Sequence, residues 1–251
     1  MTTVATEGHA QPQPSAGHQI AESIRALILD GRLVVDERLP SEQELAARFG
    51  VSRPTVREAL KRLAAQNLIR TRRGAAGGSF INRMSWSGAH DQLVTTVTLL
   101  MTMAPVSPET VAEARLTLLT ACVPLAVERR QAGHLQMMRA EVAVQRDPAT
   151  TDEEFCASDV RYYRALVEAA DNPLLGFQMA GVIEAAQPLL NMITFQSRDR
   201  AEIAARHERL CAGLEARDSD GVVNELREVS GYTARLVGAA RQHRTAGRGN
   251  R

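Results

Sequence analysis

A chain of 251 residues with 44% apolar content is long enough for two domains, and its 4% aromatic content leaves their cores mostly aliphatic. The net charge of +1 conceals a division: residues 17–83 hold 12 basic side chains against 7 acidic, while residues from Met84 onward hold 18 against 21. Segments 1–16 and beyond offer no apolar leader core and no run of 18 apolar residues, which excludes a signal peptide and a membrane span and points to a soluble, cytoplasmic chain.

Residues 1–16 are polar, with Pro12 and Pro14, and read as a disordered leader. A helix is expected over 18–29, burying Ile20, Ile24, Leu27 and Ile28 and ending at Gly31. Leu33–Val35, turning at Asp36-Glu37, leads into LPSEQELAARFGVSRPTVREALKRL, residues 39–63. Ser41 and Glu44 have the spacing of a capping box, Leu45, Ala46 and Phe49 face a core, and Gly50 supplies the left-handed residue that ends the helix. Ser52 caps the next helix, and Pro54 is tolerated in its first turn. There Val56, Ala59, Leu60 and Leu63 form one face, whereas Arg53, Arg57 and Lys61 cluster within roughly 80° on another. A basic face starting at a helix N-terminus is how a recognition helix meets base edges.

This stretch resembles the winged helix-turn-helix signature of GntR-family bacterial transcription regulators, almost without gaps from about Ile20 to Ile81. It departs at Gln43, where the fatty-acid-regulator branch often carries a basic residue. The resemblance implies double-stranded operator DNA as partner. Arg53 and Arg57 are assigned to base edges, and Ser41, Thr55 and Lys61 to phosphates, with Glu42 and Ser52 at the helix starts completing the interface. Strands at 68–71 and 79–81 flank Arg72, Arg73 and Gly74 in a Gly-rich tip, the expected wing, closing a DNA-binding domain at 17–83.

Residues 84–89 read as a linker, 90–244 as an all-helical domain and 245–251 as a loose tail. Helices are expected at 90–103, 108–132, 134–146, 152–170, 173–195, 198–217 and 220–242, with Pro124 and Pro188 kinking or interrupting theirs. The fold class is therefore mainly α, a winged helix-turn-helix with a two-stranded wing followed by an all-α bundle. Cys122, Cys156 and Cys211 lack paired spacing and read as small buried side chains. No Ser-His-Asp pattern, Gly-rich phosphate loop or paired-His motif points to an enzyme.

Glu113-Ala114-Arg115-Leu116, Asp159 to Leu166, Asp171-Asn172 and Arg206 to Leu210 with Arg217-Asp218 resemble the FCD effector domain of the FadR-type subfamily. Many such domains hold a divalent metal with one Asp and three His. Here those positions fall on Asp159, Tyr163, His207 and about Val229, so only two ligand types survive and no high-affinity metal is expected; weak binding through Asp159 and His207 stays open. Arg115 is the expected anchor for an anionic effector, with Asp159, Tyr163 and His207 beside it; an ion pair of Arg115 with Glu113 or Asp159 is the competing reading. The resemblance implies a homodimeric, ligand-responsive regulator, with repression as the family's usual sign. The effector is an organic acid derivative, an acyl-CoA included, and Met101, Met103, Met137, Met138, Met179 and Met192 are candidates to line an apolar cavity with Leu189, Leu190, Ile193 and Phe195. A metal-dependent carboxylate sensor and an effector-free dimeric DNA binder remain alternatives.

Overall fold

The computed structural model describes residues 15–74, 77–104, 106–195 and 197–248, with side chains to residue 240. The expected leader, apart from Ser15 and Ala16, lies outside the described residues, as do the last three residues of the expected tail. The chain divides into two compact units, residues 1–85 and 86–251.

In the first unit, α1 (Ala16–Leu29), α2 (Glu42–Phe49) and α3 (Arg53–Ala65) pack around Ile20, Ile24, Leu45, Val56, Leu60 and Leu63. Gly17 is buried because its bare Cα lies close to α3: a Cβ there would meet the Thr55 carbonyl oxygen at 3.3 Å. Ser41 Oγ accepts from Glu44 N at 3.3 Å while the Glu44 carboxylate accepts from Ser41 N at 2.7 Å, so the capping box fixes where α2 begins. Gly50 ends it at φ +65°. Ser52 then caps α3, with its hydroxyl also 2.8 Å from Thr55 Oγ1. The antiparallel pair β1 (Ile69–Arg72) and β2 (Gly78–Ile81) aligns Ile69 with Ile81 and Arg72 with Gly78, and buries both isoleucines.

The second unit is helical throughout its named elements: α4 (Trp86–Met103), α5 (Pro108–Arg129), α6 (Ala132–Arg146), α7 (Asp152–Glu168), α8 (Pro173–Ala180), α9 (Gln187–Thr194), α10 (Arg200–Ala216) and α11 (Ser219–Arg248). Three expectations need correction. The linker is shorter than 84–89, because α4 already includes Trp86 to Ala89. The tail is helical as far as Arg248, since α11 continues past Gln242. Pro124 does not interrupt α5, which runs on through it. Pro188, in contrast, sits in the first turn of α9, after a π-helical turn spanning Gly181–Ala186. A proline cannot donate its missing N–H to the preceding turn, and the wider π turn absorbs that break.

Helix α5 is long and apolar enough to cross a membrane by length and composition. In the fold it is instead a core helix, burying Leu119, Cys122, Val123 and Ala126 against Tyr162, Leu166, Leu210 and Leu214. Cys122 and Cys211 are buried free thiols and Cys156 is half-buried.

Candidate nucleic-acid interface and effector cavity

The basic face of α3 is free of its own core. Arg53, Arg57 and Lys61 are exposed on the side opposite Val56, Ala59, Leu60 and Leu63. Arg57 is held rather than loose: its Nε donates to Glu42 Oε1 at 3.2 Å and its Nη2 to Glu42 Oε2 at 2.8 Å, across fifteen residues of sequence. This fork keeps the Glu42 carboxyl below its usual range and pushes the Arg57 guanidinium up. Glu42 therefore orients an arginine in addition to occupying the first turn of α2. The fork uses the Nε edge of Arg57 and leaves Nη1 outside it. Ser41 and Ser52 both use their oxygens as cap acceptors, and Thr55 is half-buried with its Oγ1 2.8 Å from Ser52 Oγ. At the wing, Arg72, Arg73 and Gly74 are exposed, Gly74 at φ +103°, and the Arg72 guanidinium lies 5.2 Å from the centre of the Phe80 ring. Asp36, at φ +67°, ties the wing's base to the loop before it by accepting from Arg70 and, at 3.2 Å, from Arg83.

The helical domain brings its expected residues together. Asp159 and Tyr163 sit one turn apart on the buried face of α7, and His207 on α10 meets them. Arg115 on α5 lies over the Tyr163 ring, its Cζ 4.0 Å from the ring centre. All four line a cavity of about 40 Å³, along with Gln187, Asn191, Arg206 and Val229.

His207 is only 1% exposed and every polar edge is engaged. Its Nδ1 lies 2.7 Å from Gln145 Oε1, whose amide nitrogen donates in turn to Ser158 Oγ at 3.1 Å. With that order fixed, Nδ1 carries the proton and Nε2 accepts from the Tyr163 hydroxyl at 3.1 Å. The ring also stacks on Tyr162 with centres 4.1 Å apart, and Tyr162 donates to the His207 carbonyl at 2.7 Å. Burial pushes the imidazole down to about 4, so it is neutral at ordinary pH. Burial pushes Tyr163 up to about 12, so its hydroxyl keeps the proton that His207 accepts.

The donor set does not fit a divalent metal. His207 Nε2, the one nitrogen without a proton, faces a protonated phenol, Asp159 Oδ2 is held by Gln187 Nε2 at 2.6 Å, and Val229 has nothing to coordinate with. Among the described residues there is no group of three His, Cys, Asp or Glu able to hold an ion.

Arg115 is 4% exposed, yet among the described residues no carboxylate lies within 4.0 Å of it, so the competing ion pair with Glu113 or Asp159 does not form. Its Nε has no hydrogen-bond partner. The Tyr163 ring face offsets only part of the cost of burying that charge, about 0.5–2 kcal/mol for such a contact. Arg206 Nε likewise lacks a well-aligned hydrogen bond, but its guanidinium has carboxylates at hand, Glu202 at 2.8 Å and Glu225 at 3.3 Å.

The methionine-lined cavity does not assemble. Met103 and Met192 are exposed at 82% and 66%, Met138 is core, and of the six only Met179 lines a hollow of about 300 Å³ beside α4 and α8. Trp86, Phe177 and Ile183 share that hollow, and two side chains lining it, His90 and Arg164, already meet Glu184 at 2.8 and 2.5 Å. Sequence reasoning missed Gln145, Gln187 and Asn191. The signal was present: Gln145 continues the buried series Leu135, Met138, Val142, and Gln187 and Asn191 lie one turn apart beside buried Leu190.

A capped helix pair with a basic second helix and a wing, followed by an all-helical domain with a buried polar cavity, defines a transcription regulator rather than an enzyme. The chain carries a GntR-family DNA-binding domain followed by an FCD domain: the family model described as bacterial regulatory proteins, gntR family, matches residues 16–78, and the FCD domain model matches residues 110–230. A regulatory protein of Escherichia coli (strain K12) named for an L-lactate dehydrogenase operon is 28% identical over 213 residues, 81% of this chain and 79% of its own. The HTH-type transcriptional regulator Mce2R of Mycobacterium tuberculosis (strain CDC 1551 / Oshkosh) is 48% identical over 60 residues, 24% of this chain and 25% of its own. The solved structure of Streptococcus agalactiae GntR has the same fold, with a TM-score of 0.54 at 18% identity, covering 90% of this chain and 99% of its own.

Proposed function

We propose that the protein is a cytoplasmic, homodimeric repressor that reads an inverted-repeat operator and releases it when a short organic acid enters the helical domain without a metal. Arg53 and the Nη1 edge of Arg57 read bases, Lys61 and the hydroxyls of Ser41, Ser52 and Thr55 hold phosphates, and Arg72, Arg73 and Gly74 follow the backbone at the wing. Glu42 sets the direction of Arg57. The observation that carries this reading is the exposed but oriented arginine at the start of α3.

A second copy as the dimer partner is supported by α4, which buries none of its residues within the chain and exposes Leu99, Leu100 and Met103. The 40 Å³ volume of the cavity favours a short acid over an acyl-CoA, and the relative named for a lactate dehydrogenase operon is in keeping with that size. Gln187, at the cavity, directly follows the π-helical turn against which α4 packs, and α4 is the first helix after the reader. Ligand contact at Gln187 would shift the support of α4 and with it the spacing of two readers. By reciprocity, the acid binds the DNA-free form more tightly by the factor it weakens DNA binding.

Selection of duplexes from a random pool by the full chain tests the reading. An inverted repeat should emerge with the wild type, and enrichment without any repeated half-site would overturn it.

A further inference from the structure

We infer that Arg38, in the segment before α2, is a further DNA contact of this chain, joining Arg72 in a phosphodiester seat around Gly78 of the wing. This rests on the reading of the first unit as a DNA reader and adds a residue that the interface described above does not include.

The wing carries a third edge. Asp36 N donates to Ile81 O at 3.1 Å, Ile81 N to Glu37 O at 2.9 Å and Leu39 N to Ser79 O at 2.8 Å, which pairs Arg38 antiparallel with Phe80. Residues directly opposite one another across a sheet, and those two apart along a strand, share a face. Arg38 is opposite Phe80, Phe80 is opposite Arg70, and Gly78 is opposite Arg72. Three arginines therefore lie on one side of the wing, with Phe80 and Gly78 between them.

That face holds more positive charge than it matches. Asp36 accepts from Arg70 and must also serve Arg83. The other ion pairs among the described residues of this unit use Glu22, Glu42 and Glu58, and none reaches Arg38 or Arg72, both exposed. Glu44 feels the charge of Arg38, but its carboxylate is already held by the Ser41 amide of the capping box. Arg72 rests against the Phe80 ring. Arg38 lies across Gly78, where a Cβ would stand 2.9 Å from its Nε. The bare Cα of Gly78 thus lets the guanidinium lean toward the residue that faces Arg72.

Like charges gathered on one face of a sheet repel, and two unmatched guanidiniums there suit an anion that arrives from outside. Arg38 stands three residues before Ser41 at the start of α2 and shares a face with Arg72. It therefore bridges two stretches that meet the DNA backbone in the proposed interface. The non-bridging oxygens of a phosphodiester accept from both arginines, and such a contact fixes the duplex in place without reading its sequence.

The test is the salt dependence of DNA binding by the full chain, followed by fluorescence anisotropy on the selected duplex and on an unrelated duplex of equal length. Arg38→Gln should shallow the slope of log K against log salt by about 0.9 on both duplexes, and leave the ratio of their affinities unchanged. Arg38→Lys keeps the charge and should restore most of the slope, which a purely structural role at Gly78 would not allow. An unchanged slope in Arg38→Gln, a loss confined to the selected duplex, or Arg38→Lys behaving like Arg38→Gln would overturn the inference. Any of these beside a wild type that prefers its selected duplex sinks this inference alone. A wild type without that preference sinks the regulator reading and this inference with it.

Discussion

The two units use arginine in opposite ways. Arg57 in the reader is exposed and pinned by Glu42 through two hydrogen bonds, while Arg115 in the helical domain is buried and has no carboxylate partner among the described residues. An exposed arginine costs little to keep in water, so its ion pair contributes direction more than stability. A buried guanidinium without a counter-ion is costly, and a protein that keeps one has a use for the charge. The reader is thus arranged for a partner met at its surface, and the sensor for one that enters it.

Removing the frame around the buried site should have the largest effect. Leu210, fully buried beneath the Tyr162 layer, should cost about 2–5 kcal/mol as Leu210→Ala in urea unfolding of the helical domain, and leave the reader's own transition unmoved. A single shared transition would mean the units are less separate than their contrast implies.

Acid should separate the units next. The folded domain keeps His207 neutral down to about 4, whereas an unfolded histidine protonates near 6.5. Protons therefore favour the unfolded state across that window: stability is full above pH 6.5 and falls by about 3 kcal/mol as pH drops toward 4. His207→Gln should flatten this slope in urea titrations at several pH values, and an unchanged slope would place the acid sensitivity elsewhere.

At the reader, Arg57→Ala should reduce preference for the selected duplex about ten- to a hundredfold while the protein stays folded. Glu42→Gln sharpens the point. It keeps Arg57 and removes a negative charge, so general DNA affinity should hold or rise while sequence preference falls. Preference unchanged in Glu42→Gln would show that the fork does not aim Arg57. The smallest expected effect is Ser52→Ala, which should cost the reader about 1 kcal/mol in thermal unfolding through loss of the α3 cap.

The reader was legible because its determinants are local. The capping box spans Ser41 to Glu44, Gly50 ends the helix, and the α3 core face repeats within one element. The Glu42–Arg57 fork was not, since nothing in a helical pattern pairs residues on different helices. The helical domain showed the same split. Its helices and the positions of Arg115, Asp159, Tyr163 and His207 could be read from short motifs, but the partners that decide their chemistry sit on α6 and α9. Gln145 and Gln187 look like surface residues until their neighbours' burial is known. Methionine content suggested a cavity that packing does not form, because composition does not say which face of a helix a side chain occupies.

The coupling between the two arginines is the centre of the account, and one titration reaches it. Affinity for the selected duplex is measured by fluorescence anisotropy against rising L-lactate, for the wild type and for Arg115→Met. The account predicts that the acid weakens DNA binding by the wild type and leaves Arg115→Met, which still binds the duplex, unaffected. An equal response in both proteins, or none in the wild type, would contradict it.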